Sequence, residues 1–153
     1  AREGLALAAT AGQLARTAAD AAPQPVKVAG SLPPLFGSYR PDLFQPERVA
    51  ELLTPLLQGL APHVDLWLAE TQSSIIEARA IHAGLPKDGK PFWLSFTLKD
   101  EDTDEVPRLR SGEPVAEAAA VALGKTPLRV FLSLGRQDLH AFAASPQQAA
   151  SYQ

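Results

Sequence analysis

The chain has 153 residues, of which 46% are apolar and 20% are charged, and its formal net charge is −3. These proportions are typical of one soluble globular domain, and the acidic balance argues against nucleic acid or an anionic membrane surface as the main partner. Cysteine is absent, which excludes disulfides, thiolate metal sites and a cysteine nucleophile.

Neither a membrane span nor a secretion signal is predicted. No segment approaches the roughly 20 apolar residues that cross a bilayer. No charged and then apolar leader with a cleavage site precedes the first helical pattern, so we expect a cytoplasmic protein. Methionine is absent, including an initiator, and the chain begins inside a helical pattern. We therefore interpret it as a processed, trimmed or engineered piece.

The apolar residues predict strands and helices that alternate along the chain. Spacings of three and four predict helices, and short apolar runs that end at prolines, glycines or polar residues predict strands. The predicted helices cover residues 3–21, 46–57, 73–85, 115–123 and 137–145. The predicted strands cover residues 26–31, 64–71, 91–98 and 128–134.

This order predicts a single α/β domain over residues 1–153, with four alternating βα units, an extra N-terminal helix and a parallel sheet. Four such units make either half of a TIM barrel or a small flavodoxin- or Rossmann-like sandwich, and the pattern leaves both open. A half barrel exposes strand edges and an inner face. We therefore expect a homodimer, a flattened two-sided sandwich or a larger assembly.

The second strand, in "VDLWLAETQSS" at residues 64–74, ends on a carboxylate. Ligands bind at the carboxyl ends of parallel strands, so Glu70 is either a ligand group or a solvated strand end that favours the next helix. Ser73 or Ser74 is the expected N-cap of that helix. After the first strand, Gly30 and Ser31 permit close backbone approach, which suits a pocket rim or a plain turn.

Other polar clusters carry weaker signals. The three histidines, His63, His82 and His140, lack metal-ligand spacing and are expected to be structural. The acidic run at residues 100–105 lacks the glycine and terminal glutamate of a calcium loop, which favours a solvated loop. "RSGEP", at residues 110–114, is on its own a capping pattern before a helix.

Four segments resemble the homocysteine S-methyltransferase family over about residues 1–122: "VKVAGSLPPLFGSYRPDLF", "VDLWLAETQSSIIEARA", "KPFWLSFTLKDE" and "LRSGEPVAEAA". The resemblance implies a TIM barrel that moves a methyl group onto the thiol of homocysteine, with a zinc ion held by cysteine thiolates. It implies that Glu70 binds the ammonium group of homocysteine or a similar amino acid. Gly30, Ser31 and Thr71 are the other expected substrate-binding residues.

Because cysteine is absent, we expect this chain to hold no zinc and to be inactive alone. The alternative is a structural or engineered α/β module without native activity. Ligand-dependent stabilisation would separate these two hypotheses.

A second resemblance begins near residue 119. "RVFLSLGRQDLHAFAASPQQ", within residues 119–149, is similar to the precorrin-6A reductase family, which implies a Rossmann-like segment that handles a nicotinamide cofactor. Arg136 would then meet a phosphate, although the chain lacks a glycine-rich dinucleotide fingerprint. The two resemblances together suggest a chimera in which a barrel fragment, 1–122, is joined to a βα unit, 123–153.

Overall fold

In a computed structural model, residues 2–99, 107–122, 128–133 and 139–142 are described. The helices are α1 Arg2–Asp20, α2 Val49–Leu60, α3 Ile75–Gly84 and α4 Val115–Ala122. The strands are β1 Ala29–Leu32, β2 Leu66–Gln72, β3 Phe92–Thr97, β4 Leu128–Ser133 and β5 Leu139–Phe142. Short 3-10 turns at Pro41–Leu43 and Pro46–Arg48 precede α2. The structure confirms the four predicted strands of the βα units and the first four predicted helices.

The five strands form one open sheet in the order in which they occur along the chain. The first four strands are parallel, with Gly30 opposite Trp67 and Trp67 opposite Phe92. A doubly wound sandwich reverses its strand order at a switch point, and the described strands show no such reversal. The α/β fold is therefore confirmed, and its sheet is wound in one direction.

The prediction of a last helix over residues 137–145 is wrong, because Leu139–Phe142 is a strand. β5 runs antiparallel to β4, with Val130 opposite Phe142. A helix of nine residues is too short to be stable without packing, whereas pairing satisfies the backbone groups along the free edge of β4.

One face of the sheet carries the core. Residues that alternate along β1, β2 and β3 point to this face, where they pack against α2 and α3. These buried residues are Leu32, Trp67, Ala69, Phe92, Leu94 and Phe96. The other face is more open, since Ser31 is exposed and Leu68, Trp93 and Ser95 are half-buried. The site described below lies at the carboxyl ends of these strands.

The first helix is fixed to this core by close packing and by one ion pair. A Cβ atom at Gly59 would lie 2.7 Å from Cβ of Ala8, so glycine is what allows α2 to approach α1 this closely. Asp65 pairs with the guanidinium of Arg16 and accepts a 2.7 Å hydrogen bond from the backbone N–H of Val28. Asp65 therefore joins α1 to the starts of β1 and β2.

Among the described residues, no helix has both the length and the apolar character needed to cross a bilayer.

Candidate functional site

The side chains of Ser31 and Glu70 meet at the carboxyl ends of β1 and β2. The hydroxyl of Ser31 donates a hydrogen bond to Oε1 of Glu70. Ser31 is exposed and Glu70 is half-buried, so a solute can reach this pair. Two of the residues singled out from the sequence are thus brought together by the parallel pairing of their strands.

The backbone around Glu70 forms a bulge. Ala69 lies opposite Leu94, but Gln72 lies opposite Phe96, so β2 contains one residue more than β3 over this stretch. Within the bulge Thr71 has φ +60°, in the left-handed region that β-branched residues rarely adopt. Such a conformation costs on the order of 1–3 kcal/mol and is found mainly at functional sites. Bulges beside active sites re-aim a side chain, and here the residue before Thr71 is Glu70.

The side chain of Gln72 ties the bulge to the end of β1. Its side-chain Nε2 donates hydrogen bonds to the carbonyl oxygen of Leu32 at 3.2 Å and to that of Glu70 at 2.9 Å. The residue is 0% exposed, and its Oε1 has no hydrogen-bond partner among the described residues. Sequence reasoning missed Gln72; the available signal was an amide at the end of an apolar strand.

The other two predicted substrate-binding residues, Thr71 and Gly30, lie in different surroundings. Thr71 contributes the unusual backbone conformation of the bulge. Gly30 is buried on the face opposite Ser31, where a Cβ atom would lie 2.7 Å from the Trp67 ring, so its visible role is packing. Contact of either residue with a ligand stays a prediction. Arg136 and the acidic run at 100–105 lie outside the described residues.

The start of α3 follows the bulge directly and is capped as expected. The backbone N–H of Glu77 donates to Oγ of Ser74 at 3.3 Å, which confirms Ser74 as the N-cap. The Glu77 carboxylate in turn accepts a 3.4 Å bond from the N–H of Ser73, which is the residue before the N-cap, so the contact is a variant of the capping box. Burial raises the pKa of Glu77 above its ordinary value.

Thr97 links the end of β3 to the same region. Its hydroxyl lies 3.4 Å from Oγ of Ser73 and 3.4 Å from the carbonyl oxygen of Gln72, to which it can donate. The loops that follow β1 and β3 also meet here, because the guanidinium of Arg110 lies 4.7 Å from the ring centroid of Tyr39. The strand ends and their loops therefore form one connected polar region around the bulge.

A comparison of the chain with known protein families identifies its family. The family model for homocysteine S-methyltransferase matches residues 1–135. The chain belongs to the homocysteine S-methyltransferase family. The match extends through β4, beyond the segments that carried the resemblance up to about residue 122. No curated protein and no solved structure matched the chain.

The zinc that the homocysteine S-methyltransferase resemblance implies does not fit the residues of this chain. There is no cysteine in the sequence to supply a thiolate. Across the described ranges, no group of three or more histidine, cysteine, aspartate or glutamate side chains could hold a metal. Two histidines make packing contacts instead, with His82 stacked on Phe92 at 5.1 Å and His63 packed beside Gly12.

Proposed function

We propose that this chain is a homocysteine S-methyltransferase-like fragment in which Glu70 binds the ammonium group of homocysteine or a similar amino acid. The observation that supports this proposal is the bulge, which holds the Glu70 carboxylate beside Ser31 at the carboxyl end of β2. A carboxylate has about four lone-pair sites, so the bond from Ser31 leaves capacity for an ammonium donor. The resulting charge-assisted bond is stronger than a neutral one.

The same chain alone is not expected to transfer a methyl group. The thiolate is the nucleophile in this chemistry, and a free thiol has a pKa of about 8.5, so it is mostly protonated near neutral pH. Zinc would supply the activation, but this chain offers no cysteine ligand for it. The residues described here therefore account for binding and orientation of the amino acid, and no catalytic step is assigned to them.

Thermal unfolding with and without L-homocysteine tests the binding proposal. A ligand at ten times its Kd stabilises a folded protein by about 1.4 kcal/mol, which corresponds to about 3–6 °C in Tm for a domain of this size. Glu70→Gln should lose this shift, whereas the exposed control Glu47→Gln should keep it. 4-Mercaptobutyrate, which is homocysteine without its amino group, should not stabilise the wild type.

Any of three results would contradict the binding proposal. Equal shifts in the wild type and Glu70→Gln would mean that binding does not depend on Glu70. An equal shift with 4-mercaptobutyrate would mean that binding does not depend on the ammonium group. The absence of any shift would favour the structural or engineered module. Turnover of homocysteine with a methyl donor and added zinc would refute the inactivity of the isolated chain.

A chimeric origin for the last segment remains a separate proposal. β5 is antiparallel to β4, which departs from the alternation of strands and helices in the rest of the chain. This departure falls in the stretch at about residues 119–149 that resembles precorrin-6A reductases, and the family match overlaps that stretch up to residue 135. Titration with a reduced nicotinamide cofactor tests the role of Arg136. A peptide map compared with the coding DNA tests the junction.

A further inference from the structure

The connection after β3 folds back across the start of α3. Glu113 Oε2 accepts a 2.9 Å hydrogen bond from the backbone N–H of Ile75 and another bond from the hydroxyl of Ser111. The backbone N–H of Ser111 donates to the carbonyl oxygen of Ser73 at 3.1 Å. Two residues of this connection therefore hold two residues of the β2–α3 junction.

A tight turn fixes the position of Glu113 itself. The N–H of Leu109 donates to the carbonyl oxygen of Glu113 at 2.8 Å, and the N–H of Gly112 donates to that of Leu109 at 2.8 Å. Gly112 has φ +90°, which glycine adopts without strain. Arg108 Nη1 also donates to the carbonyl oxygen of Gly112 at 2.9 Å. The carboxylate is thus presented from a constrained turn.

The residues that Glu113 and Ser111 hold come directly after the bulge. The N–H of Ile75 is in the first turn of α3, where no earlier carbonyl of the helix can accept it. A strained residue such as Thr71 keeps its conformation only if its surroundings determine it more than once. Gln72 holds one side of the bulge, and the connection from β3 holds the chain on the other side.

We propose that Glu113 is a positioning residue for Glu70. It pins the start of α3, so that Thr71 keeps its left-handed conformation and the Glu70 carboxylate stays beside Ser31. The inference rests on the proposed function for its effect on ligand binding, but its structural part is independent of any ligand. Groups that bind a ligand must be held within about 0.5 Å of the productive geometry, which is why such a tether matters.

Three variants test the proposal. Glu113→Ala removes the acceptor for Ile75, and Glu113→Gln keeps a neutral acceptor of the same length. Glu117→Ala removes an exposed carboxylate in the first turn of α4. Glu113→Ala should weaken L-homocysteine binding by calorimetry about tenfold, the effect of one hydrogen bond to a charged group. Glu113→Gln should largely restore the affinity, and Glu117→Ala should match the wild type.

Two measurements without ligand test the structural part of the proposal separately from homocysteine binding. Amide hydrogen exchange of residues 71–75 should be faster in Glu113→Ala than in Glu117→Ala. The 13C chemical shift of the Glu70 carboxylate should change in Glu113→Ala and stay unchanged in Glu117→Ala. If Glu113→Ala does not fold, Ser111→Ala, which removes a single hydroxyl, should show the same changes to a smaller degree.

Each result decides a different point. Unchanged exchange and an unchanged Glu70 chemical shift in Glu113→Ala would overturn the proposal. Altered ligand-free signals with wild-type homocysteine affinity would overturn it as well, because Glu70 would then not depend on the tether for binding. If the wild type does not bind homocysteine but the ligand-free signals change in Glu113→Ala, the proposed function is contradicted and the positioning role is supported.

Discussion

Replacement of Gln72 by methionine is expected to lower the free energy of unfolding by about 1–2 kcal/mol. Methionine has a similar length and no branch, so it fills the same fully buried space without new contacts. The two hydrogen bonds from Nε2 to the carbonyl oxygens of Leu32 and Glu70 are lost, at about 1 kcal/mol each. In the variant the carbonyl oxygen of Leu32 also stays buried without a hydrogen-bond donor, which adds to the loss of stability.

One effect acts in the opposite direction. Oε1 of Gln72 has no partner among the described residues, so its removal recovers about 1 kcal/mol or more of desolvation. The lost bonds outweigh this recovery, and the net change corresponds to a Tm lower by about 2–8 °C for a domain of this size.

Urea unfolding at constant m-value measures the change, and Gln13→Met is the matched control. Gln13 is exposed on α1, where such a substitution changes stability by at most about 0.5 kcal/mol. A Gln72→Met protein as stable as the wild type would refute the reasoning, because the unpartnered oxygen would then cost as much as the two bonds contribute.

Two further predictions concern packing and charge. Gly59→Ala should destabilise the fold by about 1–3 kcal/mol, since the new methyl group meets Ala8. Gly4→Ala, with open space around the new methyl group, should stabilise α1 by up to about 1 kcal/mol. Thermal unfolding of the two variants measures both changes. The hydrogen bond from Val28, and then the ion pair with Arg16, lower the pKa of Asp65. The advantage of the wild type over Asp65→Asn should therefore be full above about pH 4 and disappear as the pH falls through the lowered folded pKa, as unfolding titrations at several pH values can check.

Much of the fold was predictable because its signals are local. The apolar runs at the four parallel strands and the N-cap at Ser74 follow from neighbouring residues alone, and the structure confirms them. The strand at Leu139–Phe142 was not predictable in the same way, because its stability comes from the edge of β4 that β3 leaves free, rather than from its own composition.

The candidate site was predictable in part. Glu70 followed from its place at a strand end, and its pairing with Ser31 follows from the parallel register. The positive φ of Thr71 could not be foreseen, since a β-branched residue disfavours it and only tertiary contacts impose it. The roles of Gln72 and Glu113 are also tertiary, because each bonds to groups on another element.

The strand order has a consequence for how the chain reaches its folded state. Each parallel strand pairs with the one just before it along the chain, and among the described residues one α-helix lies between the two strands of each parallel pair. Short closures of this kind lose little chain entropy, and topologies dominated by them fold faster than those with distant pairings. Each completed strand then provides the template for the next. The sheet can therefore grow by accretion of successive units, without first bringing the two ends of the chain together.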